Sequence, residues 1–353
     1  MSTKTLVTSA AGKTGMYVVK RLIEAGVEVR ALVRKEDHRS AQMRTWGAEV
    51  VVCNMYSITE MRLAIAGCQR AYMCPPTAPN GLYFCNVFCC AARNSELEHI
   101  VMLSQWLSSE NHPSVFTREV WMAERLLENL PSSHTIVNVG WFADNYFMVL
   151  EPAIQLGILP MPLGDGASKS DVPPSTDDIA SVVVGALRDP VTHAGKYYRP
   201  TGPALVSPND VAQAIALASG RPVKYSNISE SMFLKALVAL QPPNYSRAAV
   251  TQLKIYAEEY RRGSFAVGGP TRVVQEVGGK APDSIETIAR QMVSSRPEAK
   301  RNFSNRATAT KNFLKILLTP EPNIRKWSQD LDQVQISDGL FTQENPIWQS
   351  SHA

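Results

Sequence analysis

The stretch TSAAGKTGMYVVKRL, residues 8–22, passes from a strand-like run through a turn of small residues into a helix-like run. Residues 5–8 form a short apolar run that is typical of a buried strand. After the turn, apolar residues recur at helical spacing, at Met16, Val19, Leu22 and Ile23. A strand, a tight turn and a helix in this order predict the first unit of an alternating α/β sheet. Gly12 and Gly15 in the turn raise the question of a bound phosphate.

Length and composition restrict the class of protein. The chain has 353 residues, of which 44% are hydrophobic and 19% are charged, as in ordinary globular proteins. Its formal net charge of +4 and the lack of long Lys/Arg runs argue against a nucleic-acid partner. No stretch reaches the ~18 apolar residues of a membrane span, and the N-terminus lacks the apolar segment of a secretory signal. We therefore expect a cytoplasmic protein that works without nucleic acid or membrane.

The 6 cysteines of the chain all lie within its first 90 residues. None of them forms a Cys-x-x-Cys pair, and no histidine stands at a zinc-finger spacing from them. We expect these cysteines to be reduced packing residues, and we expect no metal site.

Apolar runs and helical patterns alternate through the first 150 residues. The runs are continuous rather than alternating, as in parallel strands that are buried on both faces. Predicted strands span residues 5–8, 28–33, 49–52, 70–74, 99–103 and 135–139. Predicted helices lie between them, at about residues 14–25, 37–46, 57–66, 80–95 and 117–130. This repetition predicts a doubly wound parallel sheet of the Rossmann type.

The amino-acid composition changes near residue 150, where Pro, Gly and Ser become frequent. We expect a nucleotide-binding Rossmann domain over residues 1–150 and a smaller α/β substrate lobe, interleaved with it, over residues 151–262. A C-terminal extension of unknown role follows over residues 263–353. Helical patterns recur at about residues 177–188, 208–219, 229–240 and 246–262, and an amphipathic run covers residues 312–318. The last ~20 residues are typical of a loosely ordered tail.

The turn itself departs from the usual dinucleotide fingerprint, because Ser9 stands where the first glycine is expected. Gly12 would let the backbone approach a pyrophosphate, and Gly15 would let the helix pack closely on the strand. Ser9 fits if its backbone avoids the conformations that only glycine tolerates. We expect the phosphates to lie on this turn, which also contains Ala10, Lys13 and Thr14. The alternative is a tight turn without a ligand.

The end of the second predicted strand distinguishes between two dinucleotides. An enzyme that uses NAD places Asp or Glu there, against the ribose 2′-hydroxyl. This chain has Arg34 and Lys35 instead, and a guanidinium can pair with a 2′-phosphate. The sequence therefore favours NADP(H) as the cofactor. The alternative is that Arg34 is a solvated cation at the end of a strand.

The order of these motifs resembles that of the NmrA-like family of atypical short-chain dehydrogenases/reductases. The resemblance covers roughly residues 3–240, and the matching stretches are 9–15, 29–34, 73–76, 99–104, 135–145, 177–180 and 195–198. It implies a Rossmann lobe, a smaller substrate lobe and a preference for NADP(H). It also implies that cofactor contacts follow strands three, four and six, at Asn54, Met55, Pro75, Pro76, Gly140, Trp141 and Phe142.

The chain also departs from the family pattern at positions that carry chemistry. Trp121 stands where many reductases of the family have the Lys of a Lys-x-x-Glu pattern, and Asn138 replaces a common Arg. No Tyr is followed by Lys four residues later, so the acid–base pair of the short-chain dehydrogenases is missing. Some members of the family reduce quinones, enones, imines, aryl ethers or dyes. Others bind the dinucleotide as a redox signal and catalyse nothing.

Few side chains remain as candidates for the chemistry. Ser104, Arg118 and Tyr146 are the candidate catalytic residues, as a hydrogen-bond donor, an oxyanion partner and a pocket-lining hydroxyl. Trp106, Trp121 and Asn145 are the candidate substrate contacts, and with Trp141 and Phe142 the tryptophans would form an aromatic set at the nicotinamide end. Ordinary packing or surface roles are the alternative for each of them. His112 and His134 are possible catalytic acids because of their residue type, but no motif around them supports that role.

The sequence thus predicts an NADPH-dependent reductase of a hydrophobic conjugated or aromatic small molecule, such as a quinone, an enone or an imine. Hydride transfer would rely on positioning, without a Tyr-x-x-x-Lys acid. A non-catalytic NADP(H)-sensing regulator that binds a protein partner is one alternative. A redox-neutral isomerase or cyclase on the same scaffold is another. A homodimer is compatible with any of the three.

Overall fold

A parallel sheet of seven strands forms the centre of the molecule, whose computed structural model describes residues 3–240, 247–330, 334 and 336–352. The strands are β1 (Lys4–Val7), β2 (Glu28–Val33), β3 (Glu49–Val52), β4 (Arg70–Met73), β5 (His99–Gln105), β6 (Ser133–Val139), β7 (Ile158–Met161), β8 (Tyr197–Tyr198) and β9 (Lys224–Asn227). The main sheet has the order β3-β2-β1-β4-β5-β6-β8, and β7 pairs with β9 in a separate parallel ribbon. The winding reverses between β1 and β4. The predicted doubly wound sheet is confirmed, and the six predicted strands agree with β1–β6 to within two residues.

Helices cover both faces of the main sheet. They are α1 (Lys13–Glu24), α2 (His38–Trp46), α3 (Ile58–Ile65), α4 (Gly81–Ala92), α5 (Val115–Glu128), α6 (Leu150–Leu156), α7 (Thr176–Arg188), α8 (Pro190–His193), α9 (Pro208–Ser219), α10 (Glu230–Leu240), α11 (Arg247–Arg261), α12 (Val273–Glu276), α13 (Ile285–Ser295), α14 (Phe303–Leu318), α15 (Ile324–Asp330) and α16 (Pro346–His352). Short 3₁₀ segments span Ala143–Val149, Pro297–Ala299 and Thr342–Glu344. Within the described residues, no helix combines the length and the apolar character that crossing a bilayer requires.

Two cores hold the Rossmann layers together. One packs α3, α4 and α5 against one face of the sheet, with Phe84 and Phe88 of α4 fully buried. The other packs α1, α2 and α7 against the opposite face, where Val18 and Val19 of α1 are fully buried. The central strands β1, β4, β5 and β6 are mostly buried for this reason, as predicted, whereas the edge strand β3 is exposed at Glu49 and Val52.

The smaller lobe surrounds the β7–β9 ribbon. Its core joins α6, α9 and α13 around Leu159, Ile215 and Ile288. Two elements of the predicted segment 151–262 lie in the Rossmann layers instead, because β8 pairs with β6 and α7 packs beside α1. The domain boundaries at residues 150 and 262 stay predictions. Residues 241–246, where the predicted helix at 246–262 begins, lie outside the described residues.

The C-terminal extension is more ordered than the sequence suggests. The prediction of a loosely ordered tail over the last ~20 residues is wrong for α16, whose Trp348 is 1% exposed. The Trp348 indole N–H donates to the carbonyl of Trp106 at 3.0 Å, and the two rings meet edge to face. The buried Trp348 indole therefore helps to hold the C-terminal helix against the loop after β5, together with the Asn345 amide, which donates to Asn111 at 2.7 Å.

Replacing Trp348 tests this anchoring. Trp348→Ala should weaken the docking of α16 by about 3 kcal/mol, because a large side chain and a hydrogen bond are lost together. Amide hydrogen exchange over residues 346–352 should become faster. Ile347→Ala is the matched control, since Ile347 is 67% exposed and its loss should cost less than about 0.5 kcal/mol. Equal exchange in the two variants would contradict the account.

Candidate nucleotide-binding site

A cleft of ≈ 460 Å³ opens at the carboxyl ends of β1, β2 and β4. This is the point where the strand order reverses, and ligands of open α/β sheets bind at such points. Of the predicted cofactor residues, ten line this cleft: Ser9, Gly12, Lys13, Thr14, Arg34, Lys35, Met55, Pro75, Pro76 and Phe142. Half of the residues that line this cleft were therefore predicted from the sequence as cofactor contacts.

Ser9 adopts the conformation that the sequence analysis expected it to avoid. Its φ is +50°, in the left-handed region, and it is the sole non-glycine residue with positive φ in the described parts of the chain. The Ser9 hydroxyl donates to the carbonyl of Cys74 at 2.9 Å, and the Ser9 carbonyl accepts from the Gly12 N–H at 2.8 Å. These hydrogen bonds offset the backbone strain, which glycine would not incur.

The two glycines of the turn are required by close contacts. A Cβ on Gly12 would lie 2.9 Å from the Ser9 carbonyl oxygen. A Cβ on Gly15 would lie 2.3 Å from the same oxygen and 2.8 Å from Cα of Ala10. Helix α1 therefore rests directly on the turn, and its free N–H groups face the cleft. This cradle fits a pyrophosphate, because helix N-termini bind anions through those groups and the helix dipole.

Two predicted turn residues support the cradle from behind. Ala10 is fully buried and does not line the cleft. Thr14 accepts a hydrogen bond from the Tyr72 hydroxyl at 3.0 Å, so its side chain is held against β4. The Lys13 ammonium is exposed and lies 3.8 Å from a carboxylate oxygen of Asp144, across the mouth of the cleft. Lys13 is therefore placed to exchange this weak contact for a phosphate.

Three cations gather where β2 ends. Arg34 and Lys35 are exposed, and neither has a carboxylate partner within 4.0 Å among the residues that the structure describes. Arg39, which the sequence analysis missed, lines the same cleft and donates to the Ala11 carbonyl at 2.8 Å. Its position in the first turn of α2, five residues after Arg34, was the signal available for it. The three side chains form a basic group beside the phosphate turn.

The acidic residues of this region are already engaged. Asp37 caps α2 by accepting from the Arg39 and Ser40 N–H groups, at 2.9 and 3.4 Å. Its hydrogen bonds with the Arg39 side chain hold the pKa of the Asp37 carboxyl well below its usual range. Glu36 pairs with Arg44. Among the described residues at this end of the cleft, both carboxylates are thus already paired, and the excess of positive charge suits a 2′-phosphate.

The two ends of the cleft differ in character. Met55 and Tyr56 line the end near β3, whereas Asn54 is exposed and its side chain caps the Tyr56 N–H at 3.1 Å. At the other end, beyond β4 and β5, the lining consists of Pro76, Thr77, Ala78, Leu103 and Phe142. Thr77, Ala78 and Leu103 were not predicted. This end is small and mostly apolar, and it carries no carboxyl, imidazole or phenol group in the described residues.

The three predicted catalytic residues do not line the cleft. The Ser104 hydroxyl donates to Glu124, and burial raises the pKa of that carboxyl to about 7. The Arg118 guanidinium donates to the His112 carbonyl at 2.6 Å and pairs with Asp338 at 2.9 Å. The Tyr146 hydroxyl is fully buried, 2.9 Å from Asp171 and 3.0 Å from the Tyr260 hydroxyl. As placed, none of the three reaches a molecule in the cleft.

The predicted aromatic set is not brought together either. Trp141 is 1% exposed and packs against Tyr146, Tyr260 and Phe265 in the core. Gly140 is covered by Phe265, to whose Cδ1 a Cβ would come within 3.4 Å. Trp106 and Trp121 line a second cleft, described below, and Asn145 lines neither. Of the four aromatic residues, Phe142 alone lines the nucleotide cleft.

The predicted aromatic residues are kept out of the cleft by a C-terminal segment whose position was not predicted from the sequence. Helix α11 and the segment after it lie over the ends of β5 and β6. The Tyr256 hydroxyl donates to the side chain of Gln105, and the Trp106 indole N–H donates to the Ser264 carbonyl at 3.0 Å. The buried imidazole of His112 bonds to Glu259 at 3.0 Å, which makes it a link between lobes rather than an exposed acid.

The chain belongs to the NmrA-like family, whose model matches residues 1–277. The NAD(P)H azoreductase of Xenophilus azovorans is 27% identical over 249 residues, which are 70% of this chain and 85% of the azoreductase. The NADPH-dependent quinone oxidoreductase of Escherichia coli, solved with NADPH, superposes with a TM-score of 0.69 at 19% identity, over 82% of this chain and 99% of that one. NmrA, a negative transcriptional regulator solved with NADP, gives 0.66 at 16% identity, over 82% and 95%. The two structures share the fold.

The conformation of Ser9 leads to a paired prediction. Ser9→Ala should lower the free energy of unfolding by about 1 kcal/mol, because the hydrogen bond to Cys74 is lost while the left-handed strain remains. Ser9→Gly loses the same bond but relieves the strain, so its stability should lie within about 1 kcal/mol of the wild type. Urea denaturation measures both. A Gly variant less stable than the Ala variant would show that the backbone strain is absent.

Proposed function

We propose that the protein is an NADP(H)-dependent oxidoreductase that reduces flat conjugated small molecules, with quinones as the leading class. The observation that carries the proposal is the cleft at the β1/β4 switch point, which joins a glycine cradle to three cations at the end of β2. The relative named an NAD(P)H azoreductase supports a reductase and extends the substrate class to azo compounds.

Each part of the cleft would hold one part of the cofactor. The turn at Gly12 and Gly15 and the N-terminus of α1 would hold the pyrophosphate. Arg34, Lys35 and Arg39 would hold the 2′-phosphate, for which guanidinium groups are suited. The adenine would lie towards Met55, and the nicotinamide towards Phe142, because the cleft runs from β3 to β5 in that direction.

The apolar end of the cleft limits the chemistry. Bound NADPH supplies a hydride to an acceptor that lies against its ring. The residues there, which include Leu103, Phe142 and Ala78, position a flat acceptor and offer it no acid. A quinone needs none, because conjugation stabilises the charge that the hydride brings and water can deliver the proton. A saturated ketone would form a localised alkoxide, which requires an acid or an oxyanion partner.

The regulator NmrA shares the fold, but no described feature favours a sensor over a reductase. Likewise, no feature favours a redox-neutral isomerase or cyclase. A homodimer and a cytoplasmic location stay predictions.

Nucleotide binding tests the cation group. Arg34→Ala and Arg39→Ala should each weaken NADPH binding by about tenfold to a hundredfold and leave NADH binding nearly unchanged, because charge-assisted hydrogen bonds to the 2′-phosphate are lost. Nicotinamide fluorescence follows the titration. Arg93→Ala is the matched control, since Arg93 is exposed and lies outside the cleft. Equal losses for NADPH and NADH would contradict the assignment of the 2′-phosphate site.

Substrate selection tests the chemistry. With NADPH in excess, the protein should oxidise it in the presence of 1,4-naphthoquinone or an azo dye and show no oxidation with cyclohexanone, because only the conjugated acceptors react without an acid. Absorbance at the nicotinamide band measures the rate. Reduction of cyclohexanone would reveal an acid that the cleft does not display. No oxidation with any acceptor, despite tight NADPH binding, would favour the sensor.

A further inference from the structure

A second cleft lies on the other side of β5, between α5, β8 and α16. Its volume is ≈ 700 Å³, and it shares no lining residue with the nucleotide cleft. Trp106, Trp121 and Trp348 give it aromatic walls, and Asn138 and Ser109 are among its polar residues. A concave site of this size, mostly apolar with a few polar groups, is typical of small-molecule pockets.

The C-terminal extension builds one wall of this second cleft. Helix α16 lies beyond residue 277, where the match to the family ends. Trp348 fixes the helix through its bond to Trp106, and the His352 ring meets the Trp106 ring edge to face at 4.5 Å. The second cleft is therefore completed by residues that lie beyond the match to the family model.

Polar groups in the wall lack partners. Asn138 and Ser109 are each 7% exposed, and neither the Asn138 Oδ1 atom nor the Ser109 hydroxyl has a hydrogen-bond partner. One of the two Asn138 amide N–H groups donates to the Gln105 carbonyl at 3.2 Å, and the unpartnered Oδ1 atom is free to accept. The Glu124 carboxyl in the same wall already accepts from Ser104 and Arg125, whereas the Nε atoms of Arg125 and Arg199 lack partners. Buried acceptors without donors are unfavourable, and a ligand N–H or O–H would satisfy them.

The aromatic residues favour a flat ligand. The guanidinium of Arg199 lies 3.7 Å from the centre of the Trp106 ring, and that of Arg125 lies 5.5 Å from the centre of the Trp121 ring. The Arg199 guanidinium is held by the carbonyls of Val267 and Phe265. Trp106 is 8% exposed beneath these contacts, whereas Trp121 is half-buried and leaves part of its indole open to another planar group.

We propose that the second cleft binds a flat aromatic molecule that carries a hydrogen-bond donor, namely a phenol or an arylamine. The ring lies against Trp106 and Trp121, and the O–H or N–H group donates to Asn138. This site goes beyond the proposed reductase function, since it requires neither the nucleotide nor its cleft.

Calorimetric titration with two matched probes tests the site. 2-Naphthol carries a donor, whereas 2-methoxynaphthalene has the same ring system without one. The full chain is titrated with each probe, first alone and then with saturating NADP⁺, so that binding in the nucleotide cleft is distinguished. Asn138→Leu removes the acceptor at similar volume, and Trp121→Ala removes one aromatic wall. Arg34→Ala is the control in the other cleft, and a circular dichroism melt verifies that each variant is folded.

The wild type should bind 2-naphthol about tenfold more tightly than 2-methoxynaphthalene, with or without NADP⁺. Asn138→Leu should reduce this preference to about twofold, and Trp121→Ala should weaken both probes by about tenfold. Arg34→Ala should bind 2-naphthol as the wild type does. Equal binding of the two probes, wild-type affinity in Trp121→Ala, displacement by NADP⁺, or no binding at millimolar 2-naphthol would each overturn the proposal.

If Asn138→Leu does not fold, Trp121→Ala still decides the outcome, because Trp121 is only half-buried on α5. Failure of the reductase proposal would appear as absent NADPH binding or oxidation. It would leave these titrations unaffected, so the two proposals fail separately.

Discussion

The close approach of α1 to the turn after β1 is the contact on which the rest of the nucleotide site depends. Gly15 lies so near the Ser9 carbonyl that no side chain fits between the helix and the turn. This contact aims the N–H groups of the first helical turn into the cleft. It also constrains Ser9, which takes a left-handed backbone conformation and compensates with a hydrogen bond to β4. A serine at the first glycine position thus retains the geometry of the turn.

The C-terminal third of the chain reshapes the other end of the sheet. Tyr256 and Trp348 lie over the loop after β5, where the sequence places a substrate pocket. The hydroxyl of Tyr146 and the indole of Trp141 are consequently core groups. What remains open at the β5 end of the nucleotide cleft is a small, mostly apolar wall, and among the described residues it carries no carboxyl, imidazole or phenol group. The same cover creates a separate cleft on the far side of β5.

The local parts of this structure could be predicted from the sequence, and the long-range parts could not. Strands β1 to β6 lie in mainly apolar runs, and the glycines of the turn contact residues close in sequence, so the local pattern was sufficient to predict both. The role of Arg34 as a phosphate contact stays a prediction. Arg39 could have been predicted from its position five residues after Arg34, but it belongs to no recognised motif. The aromatic residues failed because their contacts, Trp141 with Tyr260 and Trp106 with Ser264, join positions more than a hundred residues apart. The local sequence of α16 does not indicate that Trp348 packs against Trp106, which lies more than two hundred residues away.

In the proposed function, the cleft holds NADPH in one orientation for hydride transfer to a conjugated acceptor. The most direct measurement is single-turnover oxidation of NADPH by 1,4-naphthoquinone, with deuterium at either the 4R or the 4S position of the nicotinamide. A fixed nicotinamide presents one face to the acceptor, so one labelled cofactor should react several-fold more slowly and the other at the unlabelled rate. Equal rates with both labels, or no oxidation at all, would contradict the account.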